Sequence, residues 1–413
     1  MTTTGHETGL APPHAGGDAT AASGPEVHGR GPEAQAARAA TGGRGAGTGG
    51  GLGTGPGLGL GADDHHQRSP DRVRSGVRVG RALGLGLVLV VVLAASVCVA
   101  VTLGPASITV ADVLASLGAR LGASASGLSP MEDGIIWNLR MPRVLTAAAV
   151  GAGLALCGAV MQATTRNPLS DPYLLGLSSG ASVGAVVALL VGAQFLLPAA
   201  AFIGAMAALL ATLGLAQLAG GLTPARTILA GVAVSSLAGA LTSLLIFWNA
   251  QGDSYRNILS WLMGSLSGAD WHDGVLGTVA VVVIGVPLIA SARLLDAFAF
   301  GDDAAVSLGV RVERVRWLML AATAVLTGIL VSMSGAIGFV GLVVPHAVRL
   351  IVGPGYRAVL PVSTLGGAVL LLWADTLART AFDPRELPVG IVTAVLGAPV
   401  FALLLARRKG GAA

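Results

Sequence analysis

The chain has 413 residues, 53% of them hydrophobic and 11% charged, against about 25% charged in an average soluble domain. That composition excludes an ordinary water-soluble globule and points to an integral membrane protein. The positive charge is almost wholly arginine, with a single lysine at Lys409. A Walker phosphate loop needs a lysine after GxxxxG, so any ATP that drives this protein must be bound by another chain.

Residues 1–76 are rich in Gly, Ala, Thr and Pro ("TGGRGAGTGGGLGTGPGLGLG"). They lack the apolar side chains that would offset chain entropy, so a disordered tail is expected. No apolar stretch follows the start methionine, so the tail does not read as a signal peptide. The pair His65–His66 has no further Cys or His at ligand spacing, and neither a metal nor any other cofactor is expected. Cys98 and Cys157 lie in apolar runs and read as small core residues.

From residue 77 to 409 the pattern changes to that of an all-α membrane domain. A helix needs about 20 apolar residues to cross a hydrocarbon core of ~30 Å. Ten such spans are predicted: 82–103, 144–163, 174–197, 199–220, 227–248, 274–292, 317–334, 336–352, 358–378 and 388–406. The tightest hairpins fall at Pro198 and at Ser334–Gly335. With the N-terminus inside, the inner segments near spans hold fifteen arginines and Lys409, and the outer segments hold six arginines. This positive-inside bias predicts ten spans with both termini cytoplasmic. Gly176, Gly180 and Gly184 lie four apart, so their helix can approach a neighbour closely, either within one bundle or across a dimer seam.

Ion-coupled transport requires ionisable groups at membrane depth. The spans carry one acidic residue, Asp375, with Arg379 four positions on, which reads as a local ion pair. No HExxH is present, and His346 has no acidic or histidine neighbour in sequence to orient it. The polar content lies in the inner loops, "ATTRNPLSDPYLLG" and "RLLDAFAFGDDAAVSLGVRVERVRW". Asp302 and Asp303 are placed to cap a short helix, either as a docking element for a soluble partner or as a solvated turn.

Several segments resemble the iron-siderophore and cobalamin (FecCD-like) permease family of ABC importers. These are "LRMPRVLTAAAVGAGLALCGAVMQATTRNPLSDPYLLGLSSGASVGAV", "ILAGVAVSSL", "WLMGSLSGADW", "GDDAAVSLGV", "GAIGFVGLVVPHAVRLIVGPGYR" and "LPVGIVTAVLGAPVFALLL". They cover residues 80 to 409 in the family's order. The resemblance implies the type II importer permease fold in the cytoplasmic membrane. It implies a second permease subunit, two ATPase subunits, an extracytoplasmic substrate-binding protein, and no nucleic acid. The cargo would be a metal chelate, foremost a ferric siderophore. The alternative is a gradient-driven metabolite or metal transporter.

On this reading Asp302, Asp303, Ala304, Ala305, Leu308 and Gly309 couple to the ATPase. Asn167, Pro168 and Pro172 shape an inner gate. Pro345, His346 and Arg349 form a buried structural element near the inner surface, where Pro345 breaks the helical ladder and Arg349 reaches water or the freed carbonyls. Arg140, Arg143 and Arg379 form an outer docking face for the binding protein; the alternative is that all three anchor at lipid headgroups, or that Arg379 is taken up by Asp375.

Overall fold

The computed structural model describes residues 70–409 apart from 123–126, 250–251, 299–300, 308 and 383–384. The expected tail, 1–76, lies mostly outside the described residues. Among these, the structure is helical with no strand. In chain order the α-helices are α1 (Pro70–Thr102), α2 (Val110–Arg120), α3 (Pro130–Gly134), α4 (Met141–Thr164), α5 (Leu177–Leu190), α6 (Leu197–Leu218), α7 (Pro224–Asn249) and α8 (Asp253–Leu262). They continue with α9 (Trp271–Ala280), α10 (Val286–Ala290), α11 (Ala292–Phe298), α12 (Asp302–Ser307), α13 (Val312–Ser334), α14 (Val340–Val352), α15 (Tyr356–Thr380) and α16 (Val389–Lys409).

All ten predicted spans are helical. Among the described residues, seven rods are long and apolar enough to cross a membrane, and three apolar helices are shorter: 177–190, 340–352 and 389–403. Several helices extend beyond the predicted spans, and two breaks fall elsewhere than expected. The break expected at Pro198 lies earlier, at residues 191–193, because Pro198 sits in the first turn of α6, where its missing N–H costs nothing. The span expected at 336–352 begins only at Val340, after the non-helical segment 335–339.

The bundle is organised around α4. Its sequence, "LTAAAVGAGLALCGAV", carries side chains too small to hold neighbours away, and nearly every residue is buried. A methyl at Gly151 would run into the Gly367 carbonyl of α15, and one at Gly158 into the Gly341 carbonyl of α14. Gly180 and Gly184 pack on Gly204 and Ala200 of α6 within the same chain. That decides the use of their four-residue spacing, while Gly176, at φ 80°, is instead the left-handed cap before α5.

α4 is continuous with α3 through a π-helical turn, Ile135–Arg140, making one 35-residue rod. Pro142 brings no N–H, and in the five-residue register of that turn the carbonyl it leaves free is that of Trp137. The Trp271 indole N–H of α9 donates to it at 2.7 Å. Pro345 has the same effect on α14, where the freed carbonyl is that of Gly341. The Gln162 side-chain amide of α4 donates to it at 3.2 Å. In a medium without water, prolines inside helices are tolerated when neighbouring helices supply such donors.

Candidate functional site

The residues singled out from the sequence fall in three groups, two towards the ends of the bundle and one reaching into it. The ends are named by Arg143 and by Asp302.

At the Arg143 end, Arg140, Arg143 and Arg379 line one open basin of about 640 Å³, together with Asn138, Asp270 and Glu386. They form its floor rather than a rim. Arg140 is 7% exposed, and the Arg143 and Arg379 side chains are 12% and 7% exposed. Arg140 donates to the carbonyls of Val101 (2.8 Å), Thr102 (3.1 Å) and Ala106 (3.1 Å). Arg379 donates to Leu103 at 2.7 Å and to Ala100. These are the carbonyls at and just past the end of α1, which lack partners of their own and attract cations.

Arg143 grips Asp375 through two nitrogens (2.9 Å each) and reaches Glu386 at 2.8 Å. The pair expected between Asp375 and Arg379 is therefore secondary, at 3.9 Å. A bidentate guanidinium on a neighbouring helix outcompetes a stretched i,i+4 contact. The sequence reading offered these arginines as an outer docking face or as headgroup anchors. All three are recessed and bonded within the chain.

Beside the basin, Asp270, His272 and Asp273 bring donor atoms within 4.8 Å of one another. Asp270 is already engaged, capping α9 through the Asp273 N–H at 3.0 Å.

Inside the bundle, the turn 165–176 and the break 335–339 meet. The Asn167 side chain accepts from the Leu169 N–H (3.0 Å), and its carbonyl from the Ser170 N–H (3.0 Å). Asp171 caps a short 3-10 turn, Pro172–Leu175, through the Tyr173 N–H at 2.9 Å. The expected rigid turn is thus built from side-chain caps as much as from Pro168 and Pro172. The Tyr173 hydroxyl donates to the Ile337 carbonyl (3.0 Å) and accepts from the Ile337 N–H (3.2 Å). One side chain thus satisfies both backbone groups of an unpaired residue.

Gly341, just past this break, packs on Leu154 and Gly158 of α4. Those residues lie six to ten positions from the end of α4, which at 1.5 Å per residue is ~9–15 Å inside. Irregular backbone at such depth must be buried in protein.

Pro345 and His346 are buried, as expected. Arg349 is half-buried, with its Nε donating to the Pro345 carbonyl at 3.3 Å. The carbonyl that the proline itself frees is served by Gln162, a residue not singled out from the sequence. Its only signal was a lone amide in an apolar span.

At the Asp302 end, the long loop forms the expected short helices, α11 and α12. Asp302 accepts from Arg316 with both oxygens (3.0 and 3.1 Å) and lies 3.4 Å from Arg166. Asp303 and Gly309 are exposed, and so is Val306, which was not singled out from the sequence. Ala305 is fully buried, so it cannot be an exposed docking position, and a tryptophan there would break the chain's own packing. The Ala304 side chain and Leu308 lie outside the described residues.

The FecCD transport family model matches residues 87–407. The cobalamin import system permease protein of Halobacterium salinarum is 42% identical, over 75% of this chain and 92% of that protein. The hemin transport system permease protein of Yersinia pestis is 41% identical, over 66% of this chain and 84% of that one. Among solved structures, a metal-chelate type ABC transporter in an inward-facing conformation superposes with a TM-score of 0.67 at 32% identity. It covers 79% of this chain and 98% of its own. Ten apolar helices around a small-residue centre and a family match across nearly all of them lead to one conclusion: the chain belongs to the FecCD transport family of ABC importer permeases.

Proposed function

We propose that the chain is the membrane-spanning permease subunit of an ATP-driven importer in the cytoplasmic membrane, with a large metal chelate as cargo. The observation that carries this is the family match from residue 87 to 407, which takes in nearly all of the helical bundle. The ferric siderophore suggested by the motifs stands beside corrin and porphyrin chelates, which the relatives named for cobalamin and hemin support.

The Asp302 end faces the cytoplasm, in keeping with the arginine bias. There Asp303, Val306 and Gly309 present an exposed surface to an ATPase subunit, and Asn167, Pro168 and Pro172 shape the gate. The Arg143 end faces outward. An acidic side chain of a binding protein reaching into the basin meets the guanidiniums of Arg140, Arg143 and Arg379 on its floor. The chain works beside a second permease subunit, two copies of the ATPase and the binding protein, with lipid around the rest.

The test is uptake into vesicles containing the chain with its ATPase, supplied with binding protein and, in turn, a ferric siderophore, cobalamin or haem. Uptake of one chelate is expected to require ATP and to persist with an uncoupler. Uptake that survives ATP depletion and collapses with the uncoupler would establish the gradient-driven alternative.

A further inference from the structure

Two cations share the Asp302 carboxylate, and they are of different kinds. Arg316 is 9% exposed. Its guanidinium lies 5.7 Å from the Phe298 ring centroid and holds both Asp302 oxygens. That pairing joins α12 firmly to α13 and α11. Arg166 is exposed, makes a single contact to Asp302 at 3.4 Å, and stands directly before Asn167 and Pro168. Its φ of 51° puts a non-glycine residue in the left-handed region, a sparsely populated conformation that the surroundings must hold in place.

The exposure of its pair suits Arg166 to a link that opens, because an exposed ion pair shifts an equilibrium by only about 1.5- to 5-fold. The buried Arg316 pairing lacks that feature. A displacement of α12 would therefore carry Arg316 along and part Arg166 from Asp302.

We propose that the Arg166–Asp302 ion pair is the breakable link that holds the turn 165–176 closed against α12. Arg166 is thus a positioning residue through which movement of α12 reaches that turn. This rests on the importer reading for the meaning of the two elements, but not for the existence of the link.

Ser170 reports the state of the turn. It is fully buried and accepts from the Thr165 hydroxyl at 2.6 Å, so a cysteine there labels only when the turn opens. The test uses the full chain assembled with its ATPase. Thiol labelling of Ser170→Cys is compared in the Arg166, Arg166→Gln and Arg166→Lys backgrounds, with the Ser170 protein as the blank for the native cysteines.

Arg166→Gln is expected to raise labelling without nucleotide about 1.5- to 5-fold, and to lower the cargo imported per ATP hydrolysed by a similar factor. Arg166→Lys is expected to restore both. If Arg166→Gln does not assemble, high salt on the Arg166 protein screens the same exposed pair and should give the same rise in labelling. Unchanged labelling in both Arg166→Gln and high salt overturns the link. Labelling needs no cargo, so the link stands or falls on labelling alone, whereas a failure of uptake in every background would count against the importer reading.

Discussion

Asp375 shows how a buried charge is held. Its side chain is 2% exposed and is held by the Arg143 fork, with Arg379 behind it. Removing one partner of a buried pair strands the other, which costs about 3–5 kcal/mol, whereas replacing both with apolar residues is close to neutral. Asp375→Ala should therefore lower the thermal unfolding midpoint in detergent markedly. Asp375→Leu combined with Arg143→Met should recover most of that loss, limited by the freed Glu386. Equal losses in the single and the double variant would show that the pairing is not what stabilises this end.

Asp375 was legible in the sequence as the one acid in a span, but its partner was not. Arg379 is four residues away and Arg143 is 232, and only tertiary packing brings the second fork into range. Gln162 and Tyr173 were illegible for the same reason. Each answers a backbone group on a distant segment, and neither residue type signals that duty.

Among the elements, the close helix contacts are set by glycine. The methyl of an alanine at Gly158 or Gly231 would collide with the backbone carbonyl of Gly341 or Leu174, which cannot swing aside like a side chain. Gly214 of α6 has nothing within reach of an added methyl. Gly158→Ala and Gly231→Ala should each destabilise by about 1–3 kcal/mol or more, the usual cost of overpacking. Gly214→Ala should be neutral or stabilise by up to about 1 kcal/mol through helix propensity. Unfolding midpoints that fail to separate the two kinds of site would refute this packing account.

The helices themselves were legible, because about 20 apolar residues in a row leave few alternatives in a bilayer. Their breaks were less so. Residues 335–339 read as apolar as their neighbours. Within this break Tyr173 satisfies both backbone groups of Ile337, and Phe339, at φ 68°, holds a turn its own chemistry disfavours.

At the scale of the whole molecule, the helical bundle accounts for its own burial. Cores form along α4 with α13, α14 and α15, and along α5 with α6. The family match begins at residue 87. Deleting residues 2–66 should leave the unfolding midpoint and ATP-dependent uptake unchanged. Loss of folded protein on that deletion would reveal a structural role for the segment.

By itself the sequence determined the membrane class, the ten apolar helices, the length of the loop that forms α11 and α12, and the family. Each of these follows from local composition, spacing or contiguous motifs. Only the tertiary structure decided how the charged and polar residues are used. Arginines that read as an outer docking face became the floor of a basin, satisfying the carbonyls at the end of α1. An alanine that read as a docking position turned inward. In a medium that offers no hydrogen bonds, each buried polar group must find its partner inside the protein, and which partner is near enough depends on how the helices pack.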